Sequence, residues 1–150
     1  MDLAALEAEA EELIFSAFSE ETALRLGLTL VDMARRKSLP IVIDIRTPDR
    51  CLFHVALPGA TAINDNWARR KSNTALAFQA PSLLVQERMK AKDEDLARHG
   101  LSSTDYATNG GAVTLRTASA GVVACVTVSG LPQVEDHRLA VAAIRQVIGK

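Results

Sequence analysis

Apolar residues recur along this chain in two rhythms, and the changes of rhythm outline its elements. The clearest case is the closing stretch, Gly121 to Lys150. Val122 to Val128 is a nearly unbroken apolar run rich in β-branched residues, which suits a strand covered on both faces. Ser129 and Gly130 break the run, and Pro132 suits the first turn of a helix, where its missing N–H loses no partner. Val134, His137, Val141, Ile144 and Ile148 then recur at spacings of three and four, the signature of one helix face. A histidine therefore sits on an otherwise apolar stripe, directly after Asp136.

The earlier chain yields to the same treatment. Leu3 to roughly Glu12 is rich in helix formers, and Leu13 to Phe18 either continues that helix or forms a short strand. Ser19 is a good N-cap, with Glu20 and Glu21 in the first turn; Arg35, Arg36 and Lys37 suit the other end, and Pro40 stops the helix. Its apolar face is Leu24, Leu28 and Val31, widened by Leu26, Leu30 and Met33, and that width predicts burial against a sheet. Ile41–Arg46 and Cys51–Leu57 read as a hairpin across the turn Thr47-Pro48-Asp49-Arg50. Asp44 alternates with Val42 and Arg46 on one face, and Ile41, Ile43 and Ile45 take the other. Asn64 or Asp65 caps a third helix, Asn66 to about Ala80, with Trp67, Lys71, Thr74 and Phe78 on one stripe. Pro81 breaks it, and Ser82 caps a continuation over Leu83–Lys92. A charged stretch and the polar loop Ser102–Asn109 lead through Gly110-Gly111 into the strand Ala112–Thr117, which turns at Ala118–Gly121 into the central strand. Two hairpins require an antiparallel sheet. Helices packed on it give an α+β sandwich, a single domain over residues 1–150.

Composition narrows the class. The chain has 150 residues, 48% of them hydrophobic, enough for a real core. The net charge is −1, and the best candidate for a basic patch, Arg69-Arg70-Lys71, is short, so nucleic acid is not an expected partner. No apolar run approaches the roughly 20 residues that span a bilayer, and the acidic opening MDLAALEAEAEE is the reverse of a leader peptide. The expectation is a cytoplasmic protein without a membrane partner. Cys51 and Cys125 have no CxxC spacing and lie in apolar, strand-like surroundings, so they read as reduced core residues rather than zinc ligands.

Three segments resemble a known family. Trp67-x-x-Arg70-Lys71-x-Asn73, Tyr106-x-x-x-Gly110-Gly111 and Val128-Ser129-Gly130-Leu131-Pro132-x-x-Glu135-Asp136-His137 together resemble the UPF0303 group. That group lies within the haem-degrading-domain superfamily (formerly DUF336), with its GlcG-like and haem-binding HbpS-like members. The resemblance spans nearly the whole chain, and its most specific part is the VSGLPxxEDH segment. It implies a profilin-like sandwich and homo-oligomers, and for some relatives interaction with haem or a corrinoid. UPF0303 itself carries no assigned reaction.

The candidate ligand-binding residues are Trp67, Arg70, Lys71, Gly110, Gly111, Asp136 and His137. His137 either ligates iron or moves a proton, or is a buried histidine satisfied by hydrogen bonding; neighbours on a helix do not face one another, so Asp136 is not automatically its carboxylate. Lys71 either snorkels out, the commoner outcome, or meets a buried acid such as Asp136. Arg70 suits a carboxylate or a propionate, or a solvated face. Gly110-Gly111 either presents N–H groups to an anion or relieves crowding at a strand start. Ser129-Gly130 lacks the leading glycine of a nucleophile elbow, Thr127 standing there. His54 and His99 have no metal-ligand spacing to His137, and Tyr106 caps a pocket or anchors its loop. No catalytic residue is assigned, though His137 as a general base defines a weaker enzyme reading. No metal is expected apart from haem iron, with His137 as axial ligand and Arg70 or Lys71 on a propionate. Two functions follow: a small-molecule-binding protein, for haem or another tetrapyrrole, or a homo-oligomeric interaction scaffold without ligand chemistry.

Overall fold

A computed structural model describes residues 1–150. In chain order the elements are α1 (Leu3–Glu12), β1 (Ile14–Phe15), α2 (Glu20–Arg36), β2 (Val42–Arg46), β3 (Cys51–Ala56), α3 (Ala62–Phe78), α4 (Ser82–Lys92), a 3₁₀ turn (Ala97–His99), β4 (Ala112–Thr117), β5 (Gly121–Ser129) and α5 (Gln133–Ile148). The five strands form one sheet in the order β1-β4-β5-β2-β3, so the apolar run of β5 occupies its centre. The two hairpins pair as expected, Asp44 opposite His54 in one and Val113 opposite Val126 in the other. The segment left open between helix and strand is β1; it pairs in parallel with β4 and makes the sheet mixed. The result is an α+β sandwich, with helices on both faces.

The alternation along β5 distributes chemistry between the two faces. Ala124, Val126 and Val128 join Ile41, Ile43, Ile45, Leu26, Leu30 and Ile144 in the main core beneath α2 and α5. Cys125 turns to the other face, where it packs with Ala75 of α3 and Ala112. There too the Thr127 hydroxyl meets that of Ser72 on α3 at 2.7 Å. One face is therefore oily, while the α3 face carries polar groups.

Several expectations change in detail. The buried stripe of α2 is Ala23, Leu26, Gly27, Leu30 and Ala34, and Leu24 and Leu28 stand outside it, 44% and 54% exposed. Small residues let this helix approach the sheet closely: a Cβ on Gly27 would lie 2.5 Å from the Phe53 ring. Close approach at Gly27, together with the bulk of Leu26 and Leu30, sets the inner face. Helix α3 starts earlier than expected, because Asn64 Oδ1 accepts the Thr61 N–H at 2.9 Å and Thr61 is the N-cap. Ser82 is the first residue of α4 rather than its cap; its hydroxyl turns inward and donates to Asn109 O at 2.8 Å. Cys125 is buried as predicted, but Cys51 is exposed, since it opens the sheet's outer strand.

Candidate functional site

The α3 face of the sheet ends in a cavity of about 210 Å³, bounded by α3, the loop before β4 and the turn from β5 into α5. Trp67, Lys71, Gly110 and Asp136 line it, as do Asn64, Asn109, Ser129, Gly130, Leu131 and Gln133; Trp67 and Leu131 are the apolar members.

Lys71 lies at its floor with only 3% of its side chain exposed. The stripe on α3 points it at the sheet, and the sheet offers it acceptors. Its ammonium donates to Val128 O at 2.8 Å, Gly110 O at 3.0 Å and Asp136 Oδ2 at 3.1 Å. The commoner fate, snorkelling to solvent, is thus not adopted: a carboxylate and two carbonyls meet the charge inside. Burial pushes the Lys71 ammonium below its ordinary pKa despite the attraction of Asp136, and burial pushes the Asp136 carboxyl up despite Lys71 and the Leu131 N–H. In both groups desolvation outweighs the pairing, so the ion pair is held at a cost.

Crowding explains both glycines, and at Gly111 the neighbour is this lysine. Gly111 has φ +137°, and a Cβ there would collide with Lys71 Nζ and Val128 O. A Cβ on Gly110 would lie 2.7 Å from Gln133 O. Of the two sequence readings, crowding is the one the geometry supports: the Gly110 N–H is already given to Gln133 Oε1 at 2.9 Å.

The motif on α3 also organises the loop before β4. Arg69 donates to Thr104 O and Arg70 to Ser103 O, both at 2.9 Å, and Asn73 donates to Asp105 O at 2.8 Å. The Ala107 N–H goes to Thr74 Oγ1 at 3.1 Å. Arg70 lies over the Trp67 ring at 4.5 Å, outside the cavity lining. Tyr106 belongs to this pinned loop and does not line the cavity.

His137 does not join this group. A helix turns about 100° per residue, so Asp136 and His137 leave α5 in different directions. The imidazole is fully buried; its Nε2 meets Glu9 Oε1 of α1 at 2.6 Å, and its Nδ1 has no partner. The expected grouping of His137 with the other candidate ligand-binding residues is thereby corrected: the chain brings Trp67, Lys71, Gly110, Gly111 and Asp136 together and sends His137 to α1. Glu9 was not anticipated, since nothing in a run of alternating Ala and Glu singles it out. Asn64, Asn109 and Gln133 were likewise missed as lining residues; Gln133 lay inside the VSGLPxxEDH segment at an unspecified position.

A second polar cluster ties the outer hairpin to α3. Asp44, 2% exposed, accepts from Arg46 Nε at 2.6 Å and Arg46 Nη2 at 2.7 Å and bonds to His54 Nδ1 at 2.7 Å. His54 Nε2 reaches Asp65 at 3.0 Å, one residue beyond Asn64.

A mixed α+β sandwich with a lysine–aspartate pair under a glycine-walled cavity is the class that fold and site define. The model of the family described as "Haem degrading protein HbpS-like" matches residues 18–145, and the chain belongs to that family. A UPF0303 protein of Streptomyces coelicolor is 42% identical over 149 residues, covering 99% of this chain and 94% of that protein. Among solved structures, the Ybr137w protein superimposes with a TM-score of 0.90 at 30% identity, covering 100% of this chain and 90% of that one. A PduOC:heme complex shares the fold with a TM-score of 0.66 at 20% identity, covering 85% of this chain and 93% of that one.

Proposed function

We propose that this chain is a small-molecule-binding protein whose ligand enters the cavity between Trp67, Lys71 and Asp136. The observation that carries the reading is the Lys71–Asp136 pair at the cavity floor. A buried ion pair adds little stability over a well-packed apolar pair, so its position beside an open cavity points to binding. No catalytic step is assigned to it.

Haem is supported at the level of the family name and of the neighbour crystallised with it. The residues of this cavity do not fit haem. At about 210 Å³ it falls below the roughly 300–1,000 Å³ of drug-sized sites, and its lining is mostly polar. None of the three histidines offers it a nitrogen. His137 is sealed against Glu9, His54 is held at both nitrogens, and His99 lies in the 3₁₀ turn with Nε2 on Glu94. Titration with hemin separates the cases. The expected result is that any Soret shift is unchanged in both Trp67→Ala and His137→Ala; a shift abolished by either variant would restore the haem-site assignment.

A second reading, the homo-oligomeric scaffold, is favoured by one observation. β3 pairs only with β2 and leaves an open edge, while Leu24 and Leu28 on α2, the helix packed against β3, are exposed, as is Ile63 at 65%. Sedimentation of the wild type is expected to show a mass above one chain, reduced in Leu28→Lys. A single-chain mass at every concentration would remove this reading.

A further inference from the structure

The lining of this cavity carries an inference about charge. We infer that it selects an uncharged, amide-like ligand over the corresponding anion, a conclusion that rests on the cavity being the ligand site. A helix start preceded by a glycine turn is ordinarily an anion site, because its N–H groups have no partner within the helix. Here the chain supplies the anion itself. Asp136 Oδ1 accepts the Leu131 N–H at 2.9 Å, and its Oδ2 receives the Gly130 N–H at 3.4 Å together with Lys71. The place a ligand carboxylate or phosphate would take is filled by an internal carboxylate.

The only cation of the lining is equally committed. An ammonium has three protons, and Lys71 has three acceptors within the chain. What faces the cavity beyond this pair is neutral. Asn64 gives its oxygen to the Thr61 N–H and Gln133 gives its oxygen to the Gly110 N–H, so each keeps an amide N–H₂ for a ligand. Asn109, whose side chain makes no hydrogen bond in the chain, adds a donor and an acceptor, and Trp67 adds an aromatic wall. A carboxylate entering this site would shed its hydration, find no uncommitted cation in the lining and lie near Asp136. An amide or lactam would exchange water for matched donors and acceptors without that penalty.

Trp67 is the only tryptophan, so its indole N–H gives a single resolved resonance from the wall of this cavity. The ¹⁵N-labelled protein is titrated with two matched pairs, nicotinamide against nicotinate and acetamide against acetate. The expected result is a saturable displacement of the Trp67 resonance by the amides, with each carboxylate weaker by about ten-fold or more. In Asn109→Ala, with the rest of the spectrum unchanged, the amides weaken by about ten-fold. Equal or tighter binding of the carboxylates at Trp67 would overturn the charge selection and leave the binding cavity standing. No saturable displacement by any of the four would overturn both.

Discussion

Replacing Lys71 with methionine is expected to destabilise the fold by about 3–5 kcal/mol, the usual cost of stranding one member of a buried ion pair. That is a large share of the roughly 5–15 kcal/mol that holds a domain together. The cost arises because Asp136 keeps its burial and loses its counter-charge, while Gly110 O and Val128 O lose a donor. Asp136→Asn placed on the same chain is expected to return much of the loss, since an amide oxygen still accepts the Leu131 N–H without carrying charge. The pH dependence has a definite sign. Burial already raises the Asp136 pKa in the native protein, and removing Lys71 raises it further. A carboxyl with a raised folded pKa gives stability that is present below its unfolded value, about 3.9, and lost as pH climbs through the folded value. The deficit of Lys71→Met should therefore be smallest in acid and largest at neutral pH. Urea unfolding of both variants across that range measures it, and a neutral-pH deficit under about 1 kcal/mol would remove the stranded-charge argument.

Gly111→Ala is expected to cost nearly as much for a different reason. A left-handed φ of +137° is a conformation that side chains disfavour, worth about 1–3 kcal/mol of strain. The added methyl would also press on Lys71 Nζ, Val128 O and Asp136 Cβ, and overpacking of that kind costs about 1–3 kcal/mol more. Gly121→Ala is the control: its φ is +72°, but a Cβ there meets nothing within 4 Å, so it should carry the backbone cost alone. Thermal unfolding compares the two, and an equal loss at both positions would refute the claim that Gly111 is set by its neighbours.

The sheet was legible in the sequence because its strands are separated by strong punctuation. Pro48-Asp49 and Gly121 fix both hairpins, and the β-branched run Val122–Val128 suits a covered strand. β1 was not decidable, since two residues give no period and its pairing with Arg116 and Thr117 is a long-range event. The expected face of α2 is right at Leu26 and Leu30 and wrong at Leu24 and Leu28, because leucine weighs more than alanine or glycine in a hydrophobic count, whereas the Phe53 ring needs the space that Gly27 leaves. At the site, the stripe on α3 turned Lys71 inward and left a buried acid such as Asp136 as one of its two alternatives. The course of His137 could not be foreseen, because it is set by where α1 lies, and that is fixed by Leu6 packing with Leu83 and Leu84 and by the Arg88–Glu7 pair.

The way α3 grips the loop before β4 has a consequence for how that segment tolerates change. Arg69, Arg70 and Asn73 each close on a main-chain oxygen, of Thr104, Ser103 and Asp105 respectively, and such an oxygen is present whatever residue bears it. Mutational drift at positions 103 and 104 should leave the path of the segment intact, while loss of a donor on the helix should not. Electrolyte should matter little too, for beside these clasps only the Arg69–Asp105 side-chain ion pair joins two full charges that dissolved ions can shield.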